Sequence, residues 1–569
     1  MDFKSITVRN FRSFENISIE VTNKNVFFGL NDVGKTNLLT ALRFVFDRNV
    51  RKNDFLDSDY FEKNVERPIE IEICIDISKN DDNTEKIRPY IKGAITSGDE
   101  QIYIKLLANY DESELLGTAE MFWGSDPDNL QEMKSKGNKF DIDNIFNVYY
   151  IDSYVDMDRL FKKNIKKFIK SDEEDVNDQC ITDRIDTLVS DLNENISNLS
   201  GVSNFESKVN PIYKTFNDEK MSISVKSEMA VRGLYSNIVP YMKKDNDDKI
   251  YPTAGEGRKK LVVYSLFSLL AAQESDKKIN LFLIEEPENN LHKSMQIELS
   301  QILFENTDDY PFLFVSTHSP YILYEMNDVT LIRIFAEKTV ISKSAFYQVP
   351  SEYQQNKKML NQLLSEAIFA NRVLLVEGPS EKLLFDRILT YKMPYYETKG
   401  IYILVVNGIS FRNYKPILDK LGIYCVIKTD NDIQNHKNGC YALGFSRING
   451  IIGMEILPTL LEWEKGKRPD KETFLQYSKS YRERMYVENQ NLIHQIQTDY
   501  HVFVSKVDLE NDLNDVISDR MREILNNENP VKYLQSAKNN HMVELVKELS
   551  DTDCDRIYNH PNFSCLKDI

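Results

Sequence analysis

Gly29-Leu30-Asn31-Asp32-Val33-Gly34-Lys35-Thr36 satisfies the pattern G-x-x-x-x-G-K-[ST] in full. It follows the apolar run Asn25–Phe28 and opens a helical pattern from Lys35 to about Asp47, with Leu38, Leu39, Leu42, Val45 and Phe46 on one side. A phosphate-binding loop needs this strand–loop–helix setting. Glycines let backbone N–H groups curl around phosphate oxygens, and the helix start adds positive potential. Lys35 is expected at the β- and γ-phosphates and Thr36 at Mg²⁺, with Asn31 and Gly34 in the cradle of an ATP–Mg²⁺ site.

The acids that complete such a site come about 250 residues later. Asn280-Leu281-Phe282-Leu283-Ile284-Glu285-Glu286-Pro287-Glu288 reads as an apolar strand ending in carboxylates, placing Glu285 near the magnesium and Glu286 toward an attacking water. Phe312-Leu313-Phe314-Val315-Ser316-Thr317-His318 is a second strand that delivers a histidine, expected beside Glu285 as a γ-phosphate sensor. Thr253-Ala254-Gly255-Glu256-Gly257 precedes a further helix and offers another anion-binding helix start.

A second acidic constellation lies toward the C-terminus. Val373-Leu374-Leu375-Val376-Glu377-Gly378-Pro379-Ser380-Glu381-Lys382 is a strand with a Glu at its tip, a turn, and a second Glu opening a helix. Val426-Ile427-Lys428-Thr429-Asp430-Asn431-Asp432 ends another strand in Asp-x-Asp; residues i and i+2 of an extended segment point the same way. If the two strands are parallel neighbours, these carboxylates meet at the carboxyl edge, where such sheets bind ligands. Oxygen-only clusters suit Mg²⁺ or Mn²⁺, and like charges crowded together repel unless a cation is present. Val507-Asp508-Leu509-Glu510-Asn511-Asp512 adds acids, and Lys538 follows in a helical pattern.

The 569 residues predict about three or four domains. Residues 1–155 and 246–348 read as one α/β head interrupted by a polar helical insertion at 156–245, and 349–569 as a second α/β domain with a helical insertion at about 445–500. Six scattered cysteines without C-x-x-C exclude a zinc ribbon and suit a reducing cytoplasm. Apolar runs fall short of the ~20 residues of a membrane span, and Met1-Asp2-Phe3-Lys4 lacks a signal-peptide layout. The net charge of −18 argues against indiscriminate coating of nucleic acid but leaves room for a local basic groove. Arg159, Lys162, Lys163, Lys166, Lys167 and Lys170 share a helical face that suits phosphates, solvent or the acidic run Asp172–Asp175.

The order P-loop, long insert, Gly-rich helix start, Glu-Glu strand, histidine resembles the ABC-type ATPase heads of the SMC and RecF group, and Ile6-Thr7-Val8-Arg9-Asn10-Phe11-Arg12-Ser13-Phe14 looks like their first strand. In those families the Gly-rich segment caps the facing subunit's nucleotide, which implies a dimer. Glu285-Glu286 stands where they usually have Asp-Glu. The acidic C-terminal layout resembles a Toprim domain. A topoisomerase needs a nucleophilic Tyr in a DNA-gate domain, and a primase of this type a zinc ribbon; neither is in view.

Head, insertion and Toprim in one chain resemble the OLD family of nucleases, and especially its Gabija antiviral branch. Lys226-Ser227-Glu228-Met229-Ala230, the Glu285, Glu377 and Asp508 segments, and His541-Met542-Val543-Glu544-Leu545 carry that likeness. The resemblance implies an endonuclease that nicks or cuts double-stranded phage DNA, a nucleotide-sensing head, a homodimer or tetramer built through the insertion, and a GajB-like helicase-type partner subunit. It assigns Glu377, Glu381, Asp430, Asp432, Asp508, Glu510 and Lys538 to a two-metal nuclease site, with Asp512 at its margin. Gly34, Lys35, Thr36, Glu285, Glu286 and His318 go to the nucleotide site. The competing expectation is a RecF- or SMC-like DNA-maintenance clamp with the Toprim fold kept as scaffold; such a scaffold has no need of the Glu377 and Asp430 cluster.

Overall fold

The computed structural model describes residues 1–29, 33–91, 100–136, 139–154, 157, 160–161, 176–216, 224, 241–243, 250–252, 255–274, 278–305, 310–324, 329–336, 342–348, 357–406, 411–435, 439–462 and 470–569. Two compact units divide the chain. One comprises Met1–Tyr150, Lys278–Glu288 and Lys293–Ile569, the other Ile151–Lys277 and Asn289–His292.

The first unit begins with an antiparallel sheet ordered Phe14–Glu20, Asp2–Phe11, Ile69–Asp76, Gln101–Asp111, Leu116–Gly124, Gln131–Glu132. Ile69-Glu70-Ile71-Glu72-Ile73 alternates, and its isoleucines are fully buried, as period-two patterning requires. A second sheet is ordered Phe146–Ile151, Ile279–Glu285, Leu313–Thr317, Lys24–Phe28, Thr330–Ala336, Ser342–Gln348. Its Ile279–Glu285, Leu313–Thr317, Lys24–Phe28 and Thr330–Ala336 strands run parallel. Leu281–Ile284 and Leu313–Val315 within them are uninterrupted apolar runs, because both faces are covered. The helix Lys35–Phe46 packs against strands of both sheets, which is why Leu38, Leu39, Ala41, Leu42, Val45 and Phe46 are all buried.

The C-terminal region of the same unit holds a four-stranded parallel sheet, ordered Ile401–Val405, Arg372–Val376, Tyr424–Thr429, Val502–Val504. Helices Pro379–Lys392, Leu509–Leu525, Lys538–Glu548 and Asp551–Asn559 pack on one another around Leu384, Phe385, Ile388, Leu513, Met521 and Met542. The stretch expected to be helical from about 445 to 500 also contributes the strand Leu460–Glu462, which joins Gly439–Ala442 and Ile433–Asn435 in a small antiparallel sheet. Three residues are too few to leave a period in the sequence. Helices Lys471–Glu488 and Gln490–Tyr500 follow.

The head and the C-terminal sheet meet at Arg333, on the strand beside the P-loop strand. Its buried guanidinium donates to the carbonyls of Leu421, Gly422 and Ala370 at 3.1–3.2 Å and to Asn371 Oδ1 at 2.7 Å. Burial lowers its pKa to about 10, so it stays charged.

The second unit contains helices Val176–Ser197, Ser200–Phe216 and Glu256–Glu274. Ile181, Leu188, Leu192, Leu199 and Phe205 are exposed on the first two and the turn between them. The basic positions from Arg159 to Lys170 lie outside the described residues.

Candidate functional site

In the head, Gly29 ends the P-loop strand with φ 151°, and a Cβ there would sit 2.1 Å from the Ile334 carbonyl oxygen. Gly34 has φ 105°, and its Cβ would meet Ser13 Oγ at 2.5 Å and Phe14 Cζ at 2.9 Å. The loop therefore needs both glycines for conformation and for close approach. Ser13 in turn accepts from Asn37 of the P-loop helix at 3.0 Å, so the Arg12-Ser13-Phe14 segment steadies the helix start. Buried Lys35 donates to the Gly29 carbonyl at 3.2 Å.

The parallel register carries the distant acids to this loop. Thr36 Oγ1 donates to Glu285 Oε1, and the Tyr150 hydroxyl donates to Glu285 Oε2. His318 Nε2 lies 2.7 Å from Glu286 Oε1 and His318 Nδ1 lies 3.2 Å from the Gly29 carbonyl. The histidine thus bridges the P-loop to the second acid, Glu286, from the end of the strand that neighbours the Glu285 strand. Glu286 takes φ 43°, an uncommon left-handed conformation for a Glu. The buried Glu288 accepts from the His318 backbone N–H at 2.6 Å, and burial pushes its carboxyl above the usual range. Asn31 lies outside the described residues. Gly34, Lys35, Thr36, Glu285, Glu286 and His318 come together.

In the C-terminal sheet, Arg372–Val376 and Tyr424–Thr429 are parallel neighbours, so Glu377 and Asp430 leave the same edge. Glu377 Oε1 accepts from Thr429 Oγ1 at 2.6 Å and from the Asp430 N–H at 2.8 Å. Asn431, between the two aspartates, is fully buried. It donates from its side chain to the Arg482 and Lys506 carbonyls and from its backbone to Val507, each at 3.1 Å. That turn brings Asp508 to the cluster. Asp508 caps the helix Leu509–Leu525 and accepts from Arg482 at 3.3 Å and Gln535 at 3.1 Å. Glu381 and Glu510 are buried in the first turns of Pro379–Lys392 and Leu509–Leu525, whose positive ends ease the crowding of charge. Burial first, then the charges of Glu377, Glu381, Asp508 and Asp432, hold the Asp430 carboxyl well above the ordinary range.

An all-oxygen set so crowded that one member resists ionisation fits a hard divalent cation. Among the described residues, no group of three or more His, Cys, Asp or Glu is already gathered as a metal cage. Between Glu377 and Asp432 stands Arg447, paired with both.

The AAA ATPase domain family matches residues 1–323, and the Overcoming lysogenization defect protein-like TOPRIM domain family matches residues 368–432. The chain is 41% identical to the endonuclease GajA of Bacillus cereus strain VD045, over all of this chain and 99% of that one. The chain belongs to the GajA family. A second GajA endonuclease, from Bacillus cereus strain HuB5-5, is 20% identical over 80% of this chain and 79% of its own. The Old nuclease of Escherichia phage P2 is 23% identical over 75% and 77%.

Within this GajA-family chain, Asp512 stands apart from the cluster's edge. It is buried against Lys428 at 2.9 Å, both side chains nearly inaccessible. Burial alone would lower the Lys428 ammonium, but Asp512 holds it above its usual range. Lys538 opens the helix Lys538–Glu548, and its side chain lies outside the described part. Sequence reasoning missed Tyr150, Arg482 and Arg447. Arg447 had one trace, a lone basic residue in the apolar run Leu443–Ile452, and nothing in that run points to which acids it meets.

Proposed function

We propose that this chain is a metal-dependent DNA endonuclease controlled by nucleotide at its ATPase head. It acts in the cytoplasm in antiviral defence, as a homo-oligomer built through residues 156–245, with a helicase-type partner subunit. The observation that carries the reading is the carboxylate cluster at the carboxyl edge of the parallel sheet, where burial and four neighbouring acids push the Asp430 carboxyl well above its ordinary range. A clamp that used this domain only as scaffold would gain nothing from that repulsion. Membership of a family whose relatives are named as endonucleases supports the same reading. Among the described residues no helix is long and apolar enough to cross a membrane.

Glu377, Asp430, Asp432 and Asp508, with Glu381 and Glu510, would hold Mg²⁺ or Mn²⁺. When bound, such cations supply an activated water and a charge screen for the leaving oxyanion. The chain's part is orientation: Thr429 and the Asp430 N–H aim Glu377, while Arg482 and Gln535 aim Asp508. Lys538 is assigned to the leaving oxyanion. In the head, Lys35 and Thr36 would hold the nucleotide phosphates and Mg²⁺. His318, touching both Gly29 and Glu286, would sense the γ-phosphate.

The test is incubation of purified protein with plasmid or phage DNA and Mg²⁺ or Mn²⁺. Wild type should cleave, and Glu377→Ala should lose on the order of 10³-fold or more in rate while staying folded. Intact DNA with both proteins, across substrates and nucleotide states, rejects the nuclease. Lys35→Ala should abolish the response of cleavage to ATP; a response equal to wild type rejects nucleotide control.

A further inference from the structure

We propose that Arg447 is an internal counter-ion of the Toprim carboxylates, one that a divalent cation must displace from Glu377 and Asp432. The inference rests on reading the cluster as a metal site. Nη1 of Arg447 donates to Glu377 Oε1 and to Thr429 Oγ1, and Nη2 donates to Asp432 Oδ2 at 3.0 Å. The two acids come from the ends of different neighbouring strands, and one planar fork spans both. A cation that takes both carboxylates therefore competes with the guanidinium for the same oxygens.

The position of the fork is built into the fold. Helix Leu443–Ile452 starts directly on the Asp-Asn-Asp turn: Gly444 N–H donates to the Asp432 carbonyl at 2.9 Å. A Cβ on Gly444 would lie 2.7 Å from the Asp430 carbonyl oxygen and 2.9 Å from Asn431 Cα, so the approach requires glycine. Arg447 follows about one turn later, on the same side of the helix. The far end is fixed by Asn449, whose side chain donates to the Leu457 carbonyl at 2.8 Å and accepts from the Leu457 N–H at 3.0 Å. Phe445 and Ile448 bury the remaining face.

Exposure separates this pair from a structural one. The Arg447, Glu377 and Asp432 side chains are 25%, 25% and 42% accessible, against 3% and 1% for Lys428 and Asp512. Water and cations can reach the first set, so its ion pairs are exchangeable; the second is sealed. A guanidinium does not lose its proton in a protein, so only a competing positive charge releases the acids.

The experiment is Mn²⁺ titration of the full-length, nucleotide-free protein by calorimetry, with Glu377→Ala as the baseline for sites elsewhere. Thermal melts with and without Mn²⁺ accompany it. Arg447→Gln should bind Mn²⁺ about tenfold more tightly than wild type. Its metal-free Tm should fall below wild type, and Mn²⁺ should raise it by a larger increment. Arg447→Lys keeps the charge but loses the fork, and should lie between the two. Unchanged or weaker Mn²⁺ affinity in Arg447→Gln overturns the proposal, whatever its stability. If Arg447→Gln does not fold, Arg447→Lys decides: tighter binding than wild type supports, equal binding overturns. Wild type indistinguishable from Glu377→Ala would instead overturn the metal site itself, and with it this inference.

Discussion

At the scale of single residues, Asp430 concentrates the chemistry. Its carboxyl is raised by burial and by four neighbouring acids. A raised carboxyl stabilises the fold only while it keeps its proton, so that contribution is lost as pH climbs through the raised value. The metal-free protein should therefore lose stability as pH rises out of the ordinary carboxylate range. Mn²⁺ should abolish the loss and release protons on binding, since the ligand must be ionised. Urea midpoints across pH, with and without Mn²⁺, measure this; the same pH slope in both conditions rejects it. Asp512 shows how position decides a residue's role: it is a first-turn acid on the same helix as Glu510, yet it is spent on Lys428 in the interior.

At the scale of elements, what matters is how strand ends and helix starts are stapled together. The turn Asp430–Asp432 is held below by Asn431 and above by the start of helix Leu443–Ile452. Gly444→Ala inserts a methyl against backbone, which cannot yield as a side chain would. The expected cost is about 1–3 kcal/mol, read by chemical denaturation, with a drop in cleavage rate because the turn shifts. Wild-type stability and rate in that variant would show that the helix does not set the turn. Much of this scale was legible in advance. Long apolar strands and the helix after Thr36 carry strong periods, and Asp-x-Asp at a strand end announces a carboxylate pair. The strand Leu460–Glu462 and the seating of Gly444 were not legible, because three residues have no period and a close approach leaves no mark on composition.

At the scale of the molecule, Arg333 ties the two α/β layers together. Its strand lies beside the P-loop strand, and the carbonyl oxygen of the next residue, Ile334, nearly touches Gly29. Its guanidinium holds residues 370–371 and 421–422, just before the strands that end in Glu377 and Asp430. Arg333→Ala removes four hydrogen bonds, two of them to the buried Leu421 and Ala370 carbonyls, and should cost on the order of 3 kcal/mol in denaturant titrations. If the junction carries nucleotide control, cleavage by this variant should also become indifferent to ATP. A variant as stable and as nucleotide-responsive as wild type would leave the junction without that role.

The sequence by itself determined the chemistry available: a P-loop, two separated sets of acids, and the order of strands and helices that delivers each set to a sheet edge. Local periodicity and short-range motifs suffice for that, because they act within a few residues. Only the tertiary structure decided which acids face one another. Parallel pairing set Glu377 beside Asp430, a buried lysine withdrew Asp512, and a short helix placed Arg447 between Glu377 and Asp432. Those outcomes depend on contacts across 15 to 84 residues of chain, and no local pattern encodes such distances.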